Sequence, residues 1–427
     1  MNSEGENGRM RTHTRPVDRR SEILRHACAL FARQGYGGTT VRQIAEAAKL
    51  LSGSLYHHFP SKEAILLDIL EDFFAETLAR HRSTLDGEKD PIAALRGLIR
   101  ATLAVIVRNP EAAVVVVGEC RRLALTERAQ WLSERTARNT EVWHKVIAEG
   151  VRTGRLRADL EAETAAHVVQ TAVWAMAQWY RAAGRYDPDE ASHVLVDLFV
   201  HGVARPDAYR RRDMRAILGD TAVRLPAAPA LVRRARPTEG ADARVRIGHA
   251  AGLLFARQGY AVTTTRQIAE LAGVPVGSLA HHIGSKERLL ADMLAGFFQE
   301  LLDGFDRDEA AGTRPRRRFE GLVARTVEGL AGHGVASVML LNEASAEDVP
   351  TAELRRLLGA VEDVWTRVIT DGMRDRDFRA DLDPVFVQRV VRTAISTSSV
   401  AYPALPVPDV TALYQEIVLG GIGARPE

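Results

Sequence analysis

Between Arg42 and His57 the chain sets a run of hydrogen-bonding side chains: Arg42 and Gln43, then Ser52, Ser54 and His57. Arg can pair bidentately with guanine and Gln with adenine, and hydroxyls serve either base. The chemistry these residues suit is reading the edge of a base pair. It is not catalysis: the sequence has no nucleophile elbow, phosphate loop or metal-spaced cluster, and GYGG at 35–38 reads as a turn between helices. His57–His58 and His281–His282 do not suggest a metal, because neighbours on a helix point about 100° apart. No catalytic residue, metal or enzyme activity is expected.

The same run occurs twice. At a constant offset of 224, Phe31–Glu63 overlies Phe255–Glu287 with 22 of 33 positions identical. A weaker echo links 142–160 to 364–382 at an offset of 222. The chain is therefore a duplication, with Arg266, Gln267, Ser278 and His281 standing where Arg42, Gln43, Ser54 and His57 stand.

The elements that would carry these residues are short helices. Ile23, Ala27, Leu30 and Phe31 fall on one helical face. Gly35 and Gly37–Gly38 then stop that helix. Thr40-x-x-Gln43 has the form of a capping box opening a second helix to about Ala48. Ser52–Phe59 makes a third, and Ser61 caps a long fourth from Lys62. Two short helices joined by a tight turn, behind a packing helix, make a helix-turn-helix.

The string TTVRQIAEAA…GSLYHHFPSKEAIL closely resembles the N-terminal signature of the TetR/AcrR family of bacterial transcription regulators, here in tandem. That resemblance implies an all-α fold of two lobes, each a three-helix DNA-binding domain followed by a helical ligand-binding and dimerisation domain. It implies a ligand-responsive repressor acting on a double-stranded DNA operator. By the same resemblance Thr40, Tyr56 and Lys62 contact phosphates, Gly53 belongs to the recognition helix, and Thr264, Gly277 and Lys286 are their lobe 2 counterparts. Lobe 2 departs from the pattern. Ala280 stands for Tyr56 and Ile283 for Phe59, so its head is degenerate and is expected to bind more weakly or to read a different half-site. Leu51 and Pro275 replace the family's usual Ser, Pro275 being acceptable in a first helical turn. Lys49 replaces a common Gly that lobe 2 keeps as Gly273.

The expected organisation is a basic arm (1–16), DNA-binding domain 1 (17–64), helical domain 1 (65–204), an Arg/Pro-rich linker (205–240) with a short helix near 210–218, DNA-binding domain 2 (241–288) and helical domain 2 (289–424). Arginines cluster in 9–20 and 205–236 although net charge is only +2; each run precedes a copy of the motif, which suits phosphate or minor-groove contact. About 35 linker residues can span roughly 100 Å, so one chain can supply both heads of a twofold arrangement. Segments 162–182 with 188–203 are expected to meet 385–401 with 408–420, through Val168, Val173, Leu195 and Leu198 on one side and Val387, Val390, Ile395 and Ile417 on the other. The alternative is a further homodimer carrying four heads.

Trp131, Trp143, Trp174 and Trp365 read first as core; taken as an effector pocket, they suit an apolar cavity better than a polar one. LSGSLYHHFPSKEAI also resembles regulators of lipid and sterol catabolism, which implies an apolar or acyl-CoA-like effector and no other cofactor. A helical small-molecule-binding protein or enzyme with vestigial heads is the competing class. Cys28 and Cys120 read as buried thiols of a reducing cytoplasm, and no apolar run is long enough for a membrane span.

Overall fold

A computed structural model of the chain describes residues 19–123, 126–180, 184–202, 242–258, 260, 262–332, 352–398 and 407–421. The basic arm, the linker and its expected helix lie outside these. The described regular structure is helical, with no strand among those residues.

Lobe 1 runs through α1 (Arg19–Gly38), α2 (Val41–Ala47), α3 (Ser52–Tyr56), α4 (Lys62–Leu85), α5 (Pro91–Arg108), α6 (Pro110–Leu123), α7 (Ala129–Arg152), α8 (Ala162–Ala175) and α9 (Pro188–His201). Lobe 2 follows with α10 (Ala243–Gln258), α11 (Thr265–Ala272), α12 (Val276–Ile283), α13 (Lys286–Ala310), α14 (Pro315–Gly332), α15 (Ala352–Arg374), α16 (Pro384–Ser398) and α17 (Val407–Gly420). The expected punctuation is present. Thr40 and Thr264 each complete a capping box with Gln43 and Gln267, and Ser61 and Ser285 cap α4 and α13. Gly35, at φ 74°, breaks α1. Pro275 differs from expectation: it precedes α12 in the N-cap position, where its carbonyl accepts from Ser278 and Leu279.

In each lobe the long fourth helix joins the head to the larger domain. In lobe 1, α4, α5, α7 and α8 pack together around Leu70, Phe73, Leu98, Trp143 and Ile147. Such side chains contribute about 1.5–3 kcal/mol each when fully buried. Burial also pushes the Cys28 thiol up to about 12, which keeps it protonated and unreactive. No single described helix is long and apolar enough to cross a membrane.

The lobes meet through their last helices. α8 lies along α16, and α9 meets α17. Val168, Val173, Leu195, Leu198, Val387, Val390, Ile395 and Ile417 are all buried. The polar contacts are reciprocal: Arg157 of lobe 1 pairs with Glu416 on α17 at 2.5 Å, and Arg379 of lobe 2 pairs with Asp197 on α9. Arg157 and Arg379 are equivalent in the repeat and hold equivalent internal partners, Asp159 and Asp381. At the ends of α9 and α17, Gly202 and Gly421 touch backbone to backbone, and a Cβ on either would enter the other lobe's main chain. One contact has no counterpart among the described residues. Trp179 and Tyr186 of lobe 1 pack edge-on against Phe386, and Arg185 pairs with Asp383 at 2.7 Å.

Candidate nucleic-acid interface

Each head is built on three buried anchors. In lobe 1, Ile44 and Ala45 of α2 and Leu55 of α3 face the α1 core of Ile23, Ala27 and Phe31. In lobe 2 the same places are filled by Ile268, Ala269 and Leu279 against Ile247, Ala251 and Phe255. The opposite surface of α2–α3 carries Thr40, Arg42, Ser52, Gly53, Tyr56 and His57, all exposed, with Ser54 half-buried beside them. Tyr56 is 54% exposed. Arg42 reaches only Glu46 on its own helix, at 3.4 Å, and Arg266 likewise reaches Glu270 at 2.9 Å. Exposed i,i+4 pairs of this kind are worth a few tenths of a kcal/mol, so either guanidinium can exchange its carboxylate for a base. In lobe 2 Thr264, Gly277 and His281 are also exposed, and Ser278 is half-buried.

Four of the expected contact residues have partners inside their own heads. Gln43 was expected beside the base edges, but its Oε1 accepts from the Thr40 amide at 2.8 Å and the Thr40 hydroxyl at 2.9 Å. Gln267 does the same for Thr264. Both are held in helix caps. Lys62 was expected on phosphate, but its Nζ donates to the carbonyls of Tyr36 and Thr39 at 2.7 and 2.6 Å and lies 4.2 Å from the centre of the Tyr36 ring. Lys286 repeats this on Tyr260 and Thr263, both at 2.9 Å; burial lowers its pKa. These lysines tie the α1–α2 turn to the start of the long helix. Lys62→Met should therefore leave two carbonyls unsatisfied and cost the head about 1–3 kcal/mol. Amide hydrogen exchange over 36–59 should rise while exchange in α7 and α8 stays unchanged; equal protection would remove the strut.

Three further features of the heads come from the structure. Arg20 donates to the His58 carbonyl at 2.7 Å, pairs with Asp68 of α4 and stacks 4.1 Å over Phe59. Arg244 pairs with Asp292 in lobe 2 at 2.9 Å. Each head is thereby pinned to its long helix. Leu51, just ahead of α3, is 80% exposed; an apolar group at that edge suits a thymine methyl. Lys49 occupies the left-handed conformation, φ 55°, that Gly273 adopts in lobe 2 at φ 66°. A side chain there costs about 1–2 kcal/mol. Lys49→Gly should raise the unfolding free energy by about 1 kcal/mol in a denaturant titration, and no gain would show that the turn is relaxed.

The four tryptophans proposed for an effector pocket serve packing in this structure. Trp143 and Trp365 are fully buried, edge-on to His81 and Phe319. Trp174 leans on Phe73, and Trp131 lies under the Arg135 guanidinium. None of them lines the cavity of about 430 Å³ that opens between α13 and α14, beside Phe297, Leu301, Arg307 and Arg325.

Known proteins match both heads in sequence. The model for bacterial regulatory proteins of the tetR family matches residues 23–69 and again 247–293, and a tetracyclin repressor-like C-terminal domain matches 88–203. The chain is 35% identical over 188 residues to the HTH-type transcriptional repressor KstR2 of Rhodococcus jostii, covering 44% of this chain and 92% of that protein. It is 28% identical over 201 residues to the HTH-type transcriptional repressor AcnR of Corynebacterium efficiens, covering 46% and 98%. A solved structure of the ketosteroid transcriptional regulator KstR2 of Mycobacterium tuberculosis matches at 32% identity and a TM-score of 0.39, over 42% of this chain and 94% of that one. With the DNA-binding unit matched in both lobes, and one repressor covered over nearly its whole length, the chain belongs to the tetR family of bacterial regulatory proteins.

Proposed function

We propose that this protein is a ligand-responsive transcriptional repressor that reads its operator as a single-chain pseudo-dimer with two unlike heads. The observation that carries the reading is the reciprocal lobe contact, Arg157 with Glu416 and Arg379 with Asp197, made within one chain that holds two reading heads. A homodimeric regulator meets a near-palindromic site because its two heads are identical. Here the heads differ at Tyr56 and Ala280, Ser52 and Val276, and Leu51 and Pro275, so the operator is asymmetric.

Selection from a random duplex library followed by footprinting tests this. The expected operator has two different half-sites, bound by one chain, with affinity falling steeply as salt rises. A perfect palindrome bound by two chains, read from the mass of the complex, would replace the pseudo-dimer with a four-headed homodimer. The effector we propose is an apolar or acyl-CoA-like molecule. Saturated acyl-CoAs of increasing chain length, titrated against the operator complex, should release DNA; no release at any length would remove this class.

A further inference from the structure

The two heads do not stand apart. α6 of lobe 1 packs against α1 of its own head and also touches α10 of the other head. Below it, Gly37 of lobe 1 lies against Val262 of lobe 2. A Cβ built on Gly37 would come 2.6 Å from Val262 Cγ1, closer than side chains pack. The turn itself does not require this glycine. Gly35, two residues earlier, supplies the positive φ, and a Cβ there would meet nothing within 4 Å. Gly37 has no such φ, so it is small because Val262 sits on it.

The repeat supports this. Through 33 aligned residues the heads differ at only 11 positions, and two of these are adjacent at the contact: Gly37–Gly38 in lobe 1 stands where lobe 2 has Ala261–Val262. The socket is in one head and the knob in the other. Val262 is 37% exposed, an apolar side chain at the rim of its own head. Each head is pinned to its long helix, by Arg20–Asp68 and by Arg244–Asp292, so a contact at the turns positions whole heads and their recognition helices.

We propose that the Gly37–Val262 contact is a specificity determinant that sets the half-site spacing the protein accepts. B-DNA separates successive base pairs along its axis and rotates them about it, so one added base pair misplaces a second head held at fixed separation. The proposal rests on the two-headed reading given above and adds to it the pair of residues that fixes the gap.

Two measurements on the full-length chain test it. The first needs no DNA. Gly37→Cys/Val262→Cys, in a Cys28→Ala/Cys120→Ser background, should oxidise to an intramolecular disulfide that peptide mapping places between 37 and 262. No such bond under oxidising conditions would overturn the contact. The second uses the duplex enriched by the wild-type chain from a random library, with its central spacer lengthened or shortened by one and two base pairs. Wild type should lose about tenfold or more in affinity for each single-base-pair change, the size of an ordinary mismatch penalty. Val262→Gly should accept at least two spacings with nearly equal affinity. Gly37→Ala should bind the preferred spacing about tenfold more weakly, with Gly37→Ala/Val262→Ala restoring most of the loss. That restoration separates a displaced head from a misfolded one. A single sharp spacing preference in Val262→Gly, or full affinity in Gly37→Ala, would overturn the proposal. Failure of the wild-type chain to enrich any duplex would overturn the two-headed reading and this one together, whatever the disulfide result.

Discussion

Arg157→Met should destabilise the full chain by about 3–5 kcal/mol, the cost of leaving one member of a buried ion pair without its partner. The side chain of Glu416 is completely buried and that of Arg157 is 6% exposed. Removing the guanidinium takes the opposite charge away from a carboxylate buried in the seam between α8–α9 and α16–α17. Glu416→Met should cost less, because Arg157 keeps its pair with Asp159. The double replacement should recover part of the loss, because it removes the buried carboxylate together with its guanidinium while Asp159 stays. Urea unfolding followed by circular dichroism measures all three. The second interlobe pair supplies an internal control. Asp197 is 41% exposed at its side chain, and Arg379→Met should cost much less, nearer the 1 kcal/mol of a solvent-screened pair. Equal losses at Arg157 and Arg379 would show that the seam is wetter than its geometry implies. Operator affinity should fall with stability in the single variants and return in part in the double one.

The second large effect is a dependence on acid. His81 and His167 are both held at about 4 by burial, against an ordinary value near 6.5. His81 Nε2 lies 2.9 Å from the Thr102 hydroxyl, which itself donates to the Leu98 carbonyl, so the imidazole is the donor to Thr102. Its Nδ1 is buried with no hydrogen-bond partner, and a proton there would meet only apolar surroundings. The folded protein therefore keeps both rings neutral while the unfolded chain protonates them below about pH 6.5. Their contribution is fully present above that pH and is lost as pH falls towards 4, by roughly 3 kcal/mol for each ring. His81→Phe copies lobe 2, where Phe305 stands at the equivalent position. It should remove about half of the pH dependence in unfolding titrations between pH 7 and 4. An unchanged slope would place the acid sensitivity elsewhere.

Much of this architecture is written locally. The Thr-x-x-Gln boxes, the serines before Lys62 and Lys286, and the glycine at position 35 each act within four residues, so spacing alone reveals them. The apolar faces that bring α8 to α16 are legible for the same reason: helical period sets them. What spacing does not reveal is where a long side chain ends. Lys62 and Lys286 have the charge of a phosphate contact and the reach of a strut, and only the neighbouring carbonyls of Tyr36, Thr39, Tyr260 and Thr263 decide between them. Gln43 is both a base reader and a capping residue by type, and the cap takes its oxygen. Arg20 and Asp68 are 48 residues apart, and Gly37 and Val262 belong to different copies of the repeat. Such pairs are products of the tertiary arrangement, with no local signature. The left-handed turn at Lys49 was marked only by the glycine its counterpart retains.

The seam between α8–α9 and α16–α17 joins two parts of one polypeptide, and this changes how the protein responds to its own abundance. Two separate subunits must find each other before they can grip a twofold site, so occupancy rises with the square of concentration while the subunits are scarce. Partners on one chain meet at an effective concentration set by their connection, in the millimolar range for short flexible linkers, regardless of how many copies the cell holds. Repression should then scale linearly with dose down to the last few molecules. It should also resist poisoning by related single-lobe regulators, which cannot readily displace a partner that is covalently attached.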